Sequence, residues 1–313
     1  MKKGASRLAD LGEDEVVRRL TSGLPIDGSV VAGPGDDCAV LEYGRTGYYQ
    51  LFKTDCLVQG VHYYPDTPPT LVGRKALARA MSDIAAMGGW PTQAVVTLVL
   101  APSYHLSYAK ELYEGLCGVA REFGVSVVGG ETARPAQSAG KTAMISVSLL
   151  GLVEKERCVM RSGGRLNDRL YVTGTLGGSL RGKHLEFHPR VWEARWLSEH
   201  FKPTAMMDLS DGLAKDLPRL AKQSGVGFQV ALQRLPCASQ CRMINALKDG
   251  EDYELLFSMP PERVDVFESQ WRRNFPNLTL TEIGWLCSEE ESMAKDFEAY
   301  GGGWDHFQMP VAN

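Results

Sequence analysis

The sequence lacks the long apolar run and the basic tract that mark membrane-spanning and nucleic-acid-binding proteins. Its longest apolar stretches, Ala94–Ala101 and Leu149–Val153, are far shorter than the ~20 residues of a transmembrane helix. The 34 Lys and Arg residues are outnumbered by 38 Asp and Glu residues, which gives a formal net charge of −4. We therefore expect neither nucleic acid nor a membrane as a partner. We also expect no signal peptide, because no apolar stretch follows the two lysines of Met1–Ser6.

The sequence also lacks an even, regularly spaced set of cysteines, which excludes a disulfide framework. Its seven cysteines are scattered, and only Cys237 and Cys241 lie close together. Without a second such pair, a zinc site is not expected. Free thiols in a chain of this kind are typical of a reducing compartment, so we expect a cytoplasmic protein.

What is present is the composition of an ordinary globular protein with alternating strand and helix signals. The chain has 313 residues, of which 44% are hydrophobic and 23% charged, and its length suggests two domains. Strands are predicted at Val30–Leu41, Tyr48–Thr54, Ala94–Ala101, Val125–Val128, Ala143–Val153, Leu170–Thr173, Ala205–Met207, Gly227–Leu232, Tyr253–Ser258 and Leu278–Trp285. Helices are predicted at Glu13–Leu20, Leu71–Met87, His105–Phe123, Val191–His200, Leu213–Ser224 and Pro261–Phe275. We predict two α/β domains, residues 1–153 and 154–313, with a cleft between them.

Acidic residues recur where a strand meets a glycine or a helix begins. They are Asp36 and Asp37 in GPGDDC, Asp55 in KTDC, Asp83 in AMSDIAAMGG, Glu131 in GGET, and Asp208 and Asp211 in DLSDG. Each has an ordinary structural interpretation: a turn residue, a helix cap at Asp208 or Ser210, or a solvated helix face at Asp83. Because the same pattern recurs in five motifs, we favour carboxylate ligands for magnesium, which prefers oxygen donors and phosphate oxygens.

Glycine-rich stretches predict loops whose backbone N–H groups can approach a phosphate. Gly129-Gly130 follows one predicted strand, and Thr173–Gly178 follows another. Gly177–His184 also fits the first part of the P-loop pattern, but His184 stands where the metal-binding hydroxyl belongs. We therefore do not interpret this segment as a P-loop.

Eight motifs together resemble the thiamine-monophosphate kinases, members of the wider group that contains aminoimidazole ribonucleotide synthetase and selenophosphate synthetase. In chain order they are GPGDDCAVL, KTDCLVQGVHY, KALARAMSDIAAMGG, VVGGET, RSGGRLNDRLYVTGT, MDLSDGL, GEDYELLF and GGGWDHF, which span Gly33 to Phe307. The resemblance implies ATP-dependent phosphorylation of thiamine monophosphate to thiamine diphosphate, assisted by several Mg²⁺ ions. It also implies an α/β (α+β) fold, with an N-terminal ferredoxin-like domain that pairs in a homodimer to close a barrel and a C-terminal α/β domain.

The resemblance also implies roles for individual residues. Metal ligands are expected at Asp37, Thr54, Asp55, Asp83, Glu131, Asp208 and Asp211. ATP contacts are expected from Gly130, Arg161 and Ser210, and contacts to the thiamine phosphate from His62, Glu251 and Trp304. No catalytic base is expected, because the accepting phosphate is largely dianionic near pH 7. His62 and Trp304 also have a simpler interpretation as packing residues.

The sequence departs from the family pattern at several of these positions. Glu131 replaces a more usual Asp, Lys53 a small hydroxyl residue, Ala80 a common Asn, and Asp249 a glycine. The segment between Gly178 and His188 is also short. Two other readings therefore stay open: a different ATP-using enzyme of the same superfamily, and a non-catalytic protein that binds a nucleotide or a thiamine phosphate.

Overall fold

A computed structural model describes residues 7–307, which form two β-sheets with helices packed against them. The helices are α1 (Leu8–Leu11), α2 (Glu13–Thr21), α3 (Pro69–Ala86), α4 (Leu106–Phe123), α5 (Lys183–Glu186), α6 (Val191–His200), α7 (Leu213–Ser224), α8 (Met243–Lys248), α9 (Val264–Asn274) and α10 (Ala294–Ala299). The strands are β1 (Val30–Ala32), β2 (Ala39–Leu41), β3 (Tyr48–Val58), β4 (Trp90–Leu100), β5 (Ser126–Ala133), β6 (Ala143–Glu154), β7 (Arg169–Thr173), β8 (Ala205–Asp208), β9 (Gly227–Val230), β10 (Leu255–Met259) and β11 (Leu280–Cys287).

The first sheet has six strands in the order β1-β2-β3-β6-β4-β5, and the second has five in the order β8-β10-β7-β11-β9. Every pairing is antiparallel except that of β4 with β5. The α/β class predicted from the sequence is therefore confirmed. Within residues 7–307 of one chain, neither sheet closes into a barrel. No helix within residues 7–307 is long and apolar enough to span a bilayer.

Two sequence predictions about the first sheet are wrong. The single strand expected at Val30–Leu41 is two strands, because Gly33–Cys38 leaves the sheet between β1 and β2. The strand expected to stop at Val128 continues through Gly130 and Glu131, which pair with Val96 and Thr97 of β4. These glycines therefore belong to a paired edge strand and not to a loop.

Helix α3 lies where the two sheets meet and packs against elements of both. Its Leu77 and Ile84 share one apolar core with Leu255 and Phe257 of β10. The apolar residues that predicted the helix recur at steps of three and four, which places them on one side. The helix also carries Lys75, at 0% exposure, into the interior. Its polar residues are thereby held at the junction between the sheets.

Helix α3 approaches α4 closely at two glycines, and one of them gives a test of this packing. A Cβ added to Gly73 would lie 1.8 Å from the carbonyl oxygen of Leu112 in α4. Because backbone cannot give way cheaply, Gly73→Ala is expected to lower the unfolding free energy by roughly 2–3 kcal/mol. Gly118→Ala, also in α4, meets nothing within 4 Å and is expected to stabilise by about 0.5–1 kcal/mol. Urea denaturation measures both, and equal effects of the two substitutions would contradict this packing.

Candidate active site

Three buried carboxylates from distant parts of the chain come together at the junction of the sheets. Asp37 lies in the loop before β2, Asp83 on α3 and Asp208 at the end of β8, and one oxygen of each lies within 4.8 Å of the others. All three side chains are buried. We call Asp37, Asp83 and Asp208 the carboxylate cluster. The sequence predicted all three as metal ligands, and the fold brings them together.

Two cations and one hydroxyl bind the carboxylate cluster. The guanidinium of Arg161 donates to both oxygens of Asp37, at 3.2 Å and 2.5 Å. Lys53 Nζ lies 2.8 Å from Asp83 Oδ1, and the Ser82 hydroxyl donates to Asp208 Oδ2 at 2.6 Å. Arg161 also donates its backbone N–H to Asp36 Oδ1 at 2.8 Å, which fixes the loop that carries Asp37.

Two carboxylates of the cluster resist ionisation in spite of these partners. Burial, and next the charge of Asp37, raise the pKa of Asp208 to about 7. Burial also raises the pKa of Asp83 well above its usual range, although the charge of Lys53 opposes this. Three buried carboxylates, two of which disfavour their own ionisation, form a donor set suited to a hard divalent cation. The residues present therefore fit a magnesium site.

Two further aspartates predicted as ligands lie beside the cluster and hold other partners. Asp55 on β3 forms an ion pair with Arg79 of α3, at 3.3 Å. Asp211 pairs with Arg219 at 2.7 Å and with Lys215 at 3.3 Å. The backbone N–H groups of Ser210 and Asp211 both donate to Asp216. The N-cap of α7 is Gly212, so neither Ser210 nor Asp208 caps this helix.

A pocket beside the cluster collects the three residues expected to bind the second substrate. His62, Glu251 and Trp304 line it together with Val61, Arg79, Leu180, Ser210, Asp211, Gly250, Tyr253 and His306. Trp304 donates its backbone N–H to Asp211 O at 2.9 Å, which ties the C-terminal segment to the loop after β8. The pocket therefore adjoins the carboxylate cluster through Ser210 and Asp211.

Glu251 is held in the pocket wall by a strained backbone and a buried cation. Its φ of 63° is in the left-handed region, and its N–H donates to Ser210 O at 2.7 Å. Glu251 Oε2 lies 2.6 Å from Lys75 Nζ and 2.9 Å from His184 Nδ1, and Lys75 Nζ lies 2.7 Å from the same nitrogen.

The pKa of Glu251 is lowered by these contacts. Burial would raise this pKa, but hydrogen bonding to His184 and the charges of Lys75 and Arg79 hold it at about 2. Burial lowers the pKa of Lys75 to about 8. Glu251 is thus a fixed anion at neutral pH.

Aromatic rings form the other wall of this pocket. The rings of His62 and His306 lie 5.3 Å apart, and those of Trp304 and His306 lie 5.7 Å apart. Burial, and next the charge of Arg79, lower the pKa of His62 to about 4, so the ring is neutral near pH 7. Its Nδ1 accepts the backbone N–H of Val58 at 3.0 Å. Trp304 is 40% exposed and leaves part of its indole accessible at the rim.

Three predicted site residues are not brought to the cluster within one chain. Thr54 lies on β3 between Lys53 and Asp55, so its exposed side chain points to the opposite face, where it accepts a hydrogen bond from Ser148 at 3.1 Å. Gly130 and Glu131 are exposed on β5, which β6 and β4 separate from β3. The side chain of Glu131 accepts the N–H of Thr132 at 2.8 Å.

The glycine-rich segment after β7 already has acceptors for its N–H groups. Gly177 donates to both oxygens of Asp252 at 3.1 Å, and Gly178 donates to Asp249 at 2.8 Å. Lys183 forms an ion pair with Glu254 at 2.9 Å. The P-loop-like pattern therefore serves to hold the GEDYE segment, and Asp249 has a structural partner.

Sequence reasoning missed several polar residues of the site. Lys75, Arg79 and Asp83 recur every four residues, a spacing that places them on one face of α3. That spacing could have identified Lys75 and Arg79 as site residues. No pattern in the sequence identifies Ser82 and His184, because their partners Asp208 and Glu251 are far away in sequence.

Family models match most of the chain. The model described as "AIR synthase related protein, N-terminal domain" matches residues 35–153, and the corresponding C-terminal domain model matches residues 163–274. Curated relatives named thiamine-monophosphate kinase include the Aquifex aeolicus protein, 33% identical over 96% of this chain and 100% of its own. The Rhodopirellula baltica protein of the same name is 34% identical over 81% and 83%. A solved structure of AaThiL complexed with AMPPCP and TMP is 29% identical, with a TM-score of 0.79 over 99% and 98% of the two chains.

Proposed function

Because the chain belongs to the thiamine-monophosphate kinase family, we propose that it transfers the γ-phosphoryl group of ATP to the phosphate of thiamine monophosphate. The product would be thiamine diphosphate. The observation that carries the proposal is the carboxylate cluster adjoining a pocket that holds a fixed anion and an exposed indole. The relative with bound AMPPCP and TMP, which covers nearly the same length of chain, supports the same pair of substrates.

We propose Asp37, Asp83 and Asp208 as ligands for Mg²⁺, with Asp55 and Asp211 completing the sites beside them. Bound magnesium would neutralise the phosphates and the charge that develops during transfer. Asp55 and Asp211 hold Arg79, Arg219 and Lys215 until phosphate oxygens are present to take those cations. Several ions are expected because the five carboxylates occupy neighbouring positions.

Arg161 and Ser210 are proposed as contacts to ATP. Arg161 is anchored to Asp37 and Asp36, so its guanidinium is fixed beside the cluster before any nucleotide arrives. A guanidinium in a fixed position can bind phosphate oxygens with little loss of conformational entropy. Ser210 lies between Asp208 and Asp211 and lines the pocket, where its hydroxyl faces both substrates' phosphates in this proposal.

No side chain needs to remove a proton from the accepting phosphate, since that phosphate is mostly dianionic near neutral pH. The task of the protein is to hold two polyanions together, which at ~4 Å costs several kcal/mol even at an effective dielectric of 20. Arg79 in the pocket and Arg161 at the carboxylate cluster supply positive charge that reduces this repulsion. Glu251 would accept a hydrogen bond from the aminopyrimidine through Oε1, because Lys75 and His184 occupy Oε2. Oε1 accepts only the Tyr253 hydroxyl, at 3.3 Å, within residues 7–307, which leaves it a second lone pair.

Trp304 is expected to stack on the cationic thiazolium, with His62 packing beside it. A cation on an indole face gains ~0.5–2 kcal/mol, so Trp304→Ala should weaken thiamine monophosphate binding by roughly tenfold and leave ATP binding unchanged. Trp285→Ala is the matched control, because Trp285 has nearly the same exposure, 39%, on β11. Apparent affinities for both substrates, measured with melting temperatures, decide the matter. Equal losses for both substrates would show that Trp304 serves only in packing.

Gly130, Glu131 and Thr54 are proposed to act in a homodimer. The sheet face that carries Thr54 also exposes Phe52 and Val95, at 45% and 42%, and is left uncovered by the helices. A second copy packed on this face would bury that apolar surface and could bring its Glu131 and Gly130 toward the carboxylate cluster. The barrel implied by the resemblance would close in the same way.

The dimer is tested by light scattering at several concentrations. We expect twice the chain mass of 34.4 kDa for the wild type. The double variant Phe52→Glu, Val95→Glu should give the monomer mass with an unchanged circular dichroism spectrum, because buried charges oppose association. A wild type that stays at the monomer mass at every concentration would refute the homodimer.

Two further assignments accompany this function. We propose that residues 1–153 and 154–313 form the two domains, since β6 ends at Glu154 and the second sheet begins with β7. We propose a cytoplasmic location, supported by seven cysteines that are all free.

Incubation with ATP, MgCl2 and thiamine monophosphate tests the proposed function against the two alternatives. Thiamine diphosphate as a product supports the kinase. Consumption of ATP only when another acceptor is supplied would favour a different enzyme of the superfamily. Binding of both compounds without turnover would favour a non-catalytic binding protein.

A further inference from the structure

Two members of the carboxylate cluster already hold a cation from the protein. Arg161 contacts both oxygens of Asp37, and the Lys53 ammonium contacts Asp83 at 2.8 Å. Asp208 differs, because across residues 7–307 its side chain makes no ion pair and accepts only the hydroxyl of Ser82. The cluster is therefore partly neutralised from within.

The position of the Lys53 side chain follows from its place in β3, where the side chain is largely buried. Side chains of β3 alternate, so Lys53 shares a face with the buried Leu51 and Leu57, toward α3. Only 25% of its side chain is exposed, and 10% of that of Asp83. The ammonium thus lies between β3 and α3, on the inner side of the cluster.

An ammonium and a divalent ion compete for this oxygen of Asp83. Mg²⁺ bound to Asp83 Oδ1 would lie about 2.1 Å from it, whereas Lys53 Nζ lies 2.8 Å from the same atom. The two cations would then lie about 4 Å apart in a buried site, where they repel each other by several kcal/mol. Each cation therefore weakens the binding of the other.

We propose that the Lys53 ammonium stands in for one divalent ion at Asp83, so that this chain binds fewer ions in the cluster than its carboxylates could hold. Oδ1 of Asp83 then serves as the partner of Lys53, while Oδ2 of Asp83, Asp208 and Asp37 remain to bind metal. The proposal rests on the proposed function in one respect, that the remaining ions serve phosphoryl transfer. It predicts that removing the ammonium opens a metal site.

The test is Mn²⁺ binding by equilibrium dialysis, without nucleotide, on the full-length chain. Lys53→Ala is expected to bind one more Mn²⁺ per chain than the wild type, or to bind it at least about tenfold more tightly. Lys53→Met removes the charge and keeps the apolar stem, so it should show the same gain if the alanine variant folds poorly. Lys53→Arg keeps the charge and should resemble the wild type. Lys155→Ala is the matched control, because Lys155 pairs with Glu42 at the surface.

Melting temperatures measured with and without MgCl2 give a second test of the role of Lys53. The wild type should gain less from Mg²⁺ than Lys53→Ala does, because Lys53→Ala should melt lower without metal and regain most of the loss with it. If both Lys53→Ala and Lys53→Met bind Mn²⁺ no more strongly than the wild type, the proposal is overturned. Unchanged Mn²⁺ binding together with weaker ATP binding would overturn it in favour of a lysine that binds phosphate.

The result for Lys53 can be distinguished from the result for the proposed function. Formation of thiamine diphosphate by the wild type, with no gain of Mn²⁺ in the variants, would refute the role of Lys53 and leave the kinase in place. A gain of Mn²⁺ in a chain that makes no thiamine diphosphate would support the role of Lys53 and refute the kinase.

Discussion

Asp208→Asn is expected to lower kcat by about 10³-fold, because losing a metal ligand removes roughly 4 kcal/mol of transition-state stabilisation. The amide keeps the size of the side chain and its hydrogen bond to Ser82. Without metal, the same substitution should raise the melting temperature at pH 8, because it removes one of three mutually repelling buried charges. Lower activity together with a higher melting temperature would show that the charge of Asp208 serves the reaction and destabilises the fold.

The control for this variant is Asp265→Asn, which changes an exposed aspartate on α9. It should alter neither turnover nor melting temperature. Steady-state kinetics at saturating ATP and excess MgCl2 give the comparison, with melting measured in EDTA. Turnover of Asp208→Asn within threefold of the wild type would contradict the assignment of the carboxylate cluster.

Lys75→Met is expected to lower the unfolding free energy by about 3–5 kcal/mol, because it leaves Glu251 in the pocket wall without its buried cation. The carbonyl of His62, which accepts from Lys75 at 2.7 Å, also loses its donor. Glu251→Gln added to Lys75→Met removes the unpaired charge. The double variant should therefore be more stable than the sum of the two single effects predicts, by roughly 1–3 kcal/mol.

Lys155→Met is the matched control, because its partner Glu42 is exposed and such pairs contribute at most ~1 kcal/mol. Urea denaturation of the four proteins in the cycle, at pH 7.5, supplies the comparison. Additive losses in the double variant would show that Lys75 and Glu251 are not energetically coupled. Loss of thiamine monophosphate binding in Glu251→Gln, with ATP binding retained, would place the pair on the acceptor side of the site.

The sequence predicted the family and the α/β class correctly, and eight short motifs in order carried that prediction. Asp37, Asp83 and Asp208 could be predicted because each belongs to a motif with its own chain context. Their convergence could not be predicted, since it depends on α3 lying between the two sheets and brings together Asp37 and Asp208, which are about 170 residues apart in the sequence.

Other features depended on tertiary contacts that leave no local signal. Glu131 looked like a loop residue because two glycines precede it, yet β5 continues through them by pairing with β4. His184 stood in a segment that fitted part of a phosphate-loop pattern, whereas its partners Lys75 and Glu251 come from α3 and the segment before β10. The sequence marked Lys53 only as a departure from the family pattern, and the geometry reveals Asp83 as its partner. Local patterns thus located the acidic residues but not the cations that pair with them.

The phosphoryl transfer is tested most directly by following a labelled phosphate. The chain is incubated with ATP labelled at the γ-phosphate, thiamine monophosphate and MgCl2, and the products are separated. We expect the label in the terminal phosphate of thiamine diphosphate, at one equivalent per ADP formed, with none when MgCl2 is replaced by EDTA. Label that appears only as inorganic phosphate, or ADP that forms without thiamine diphosphate, would contradict the proposed transfer.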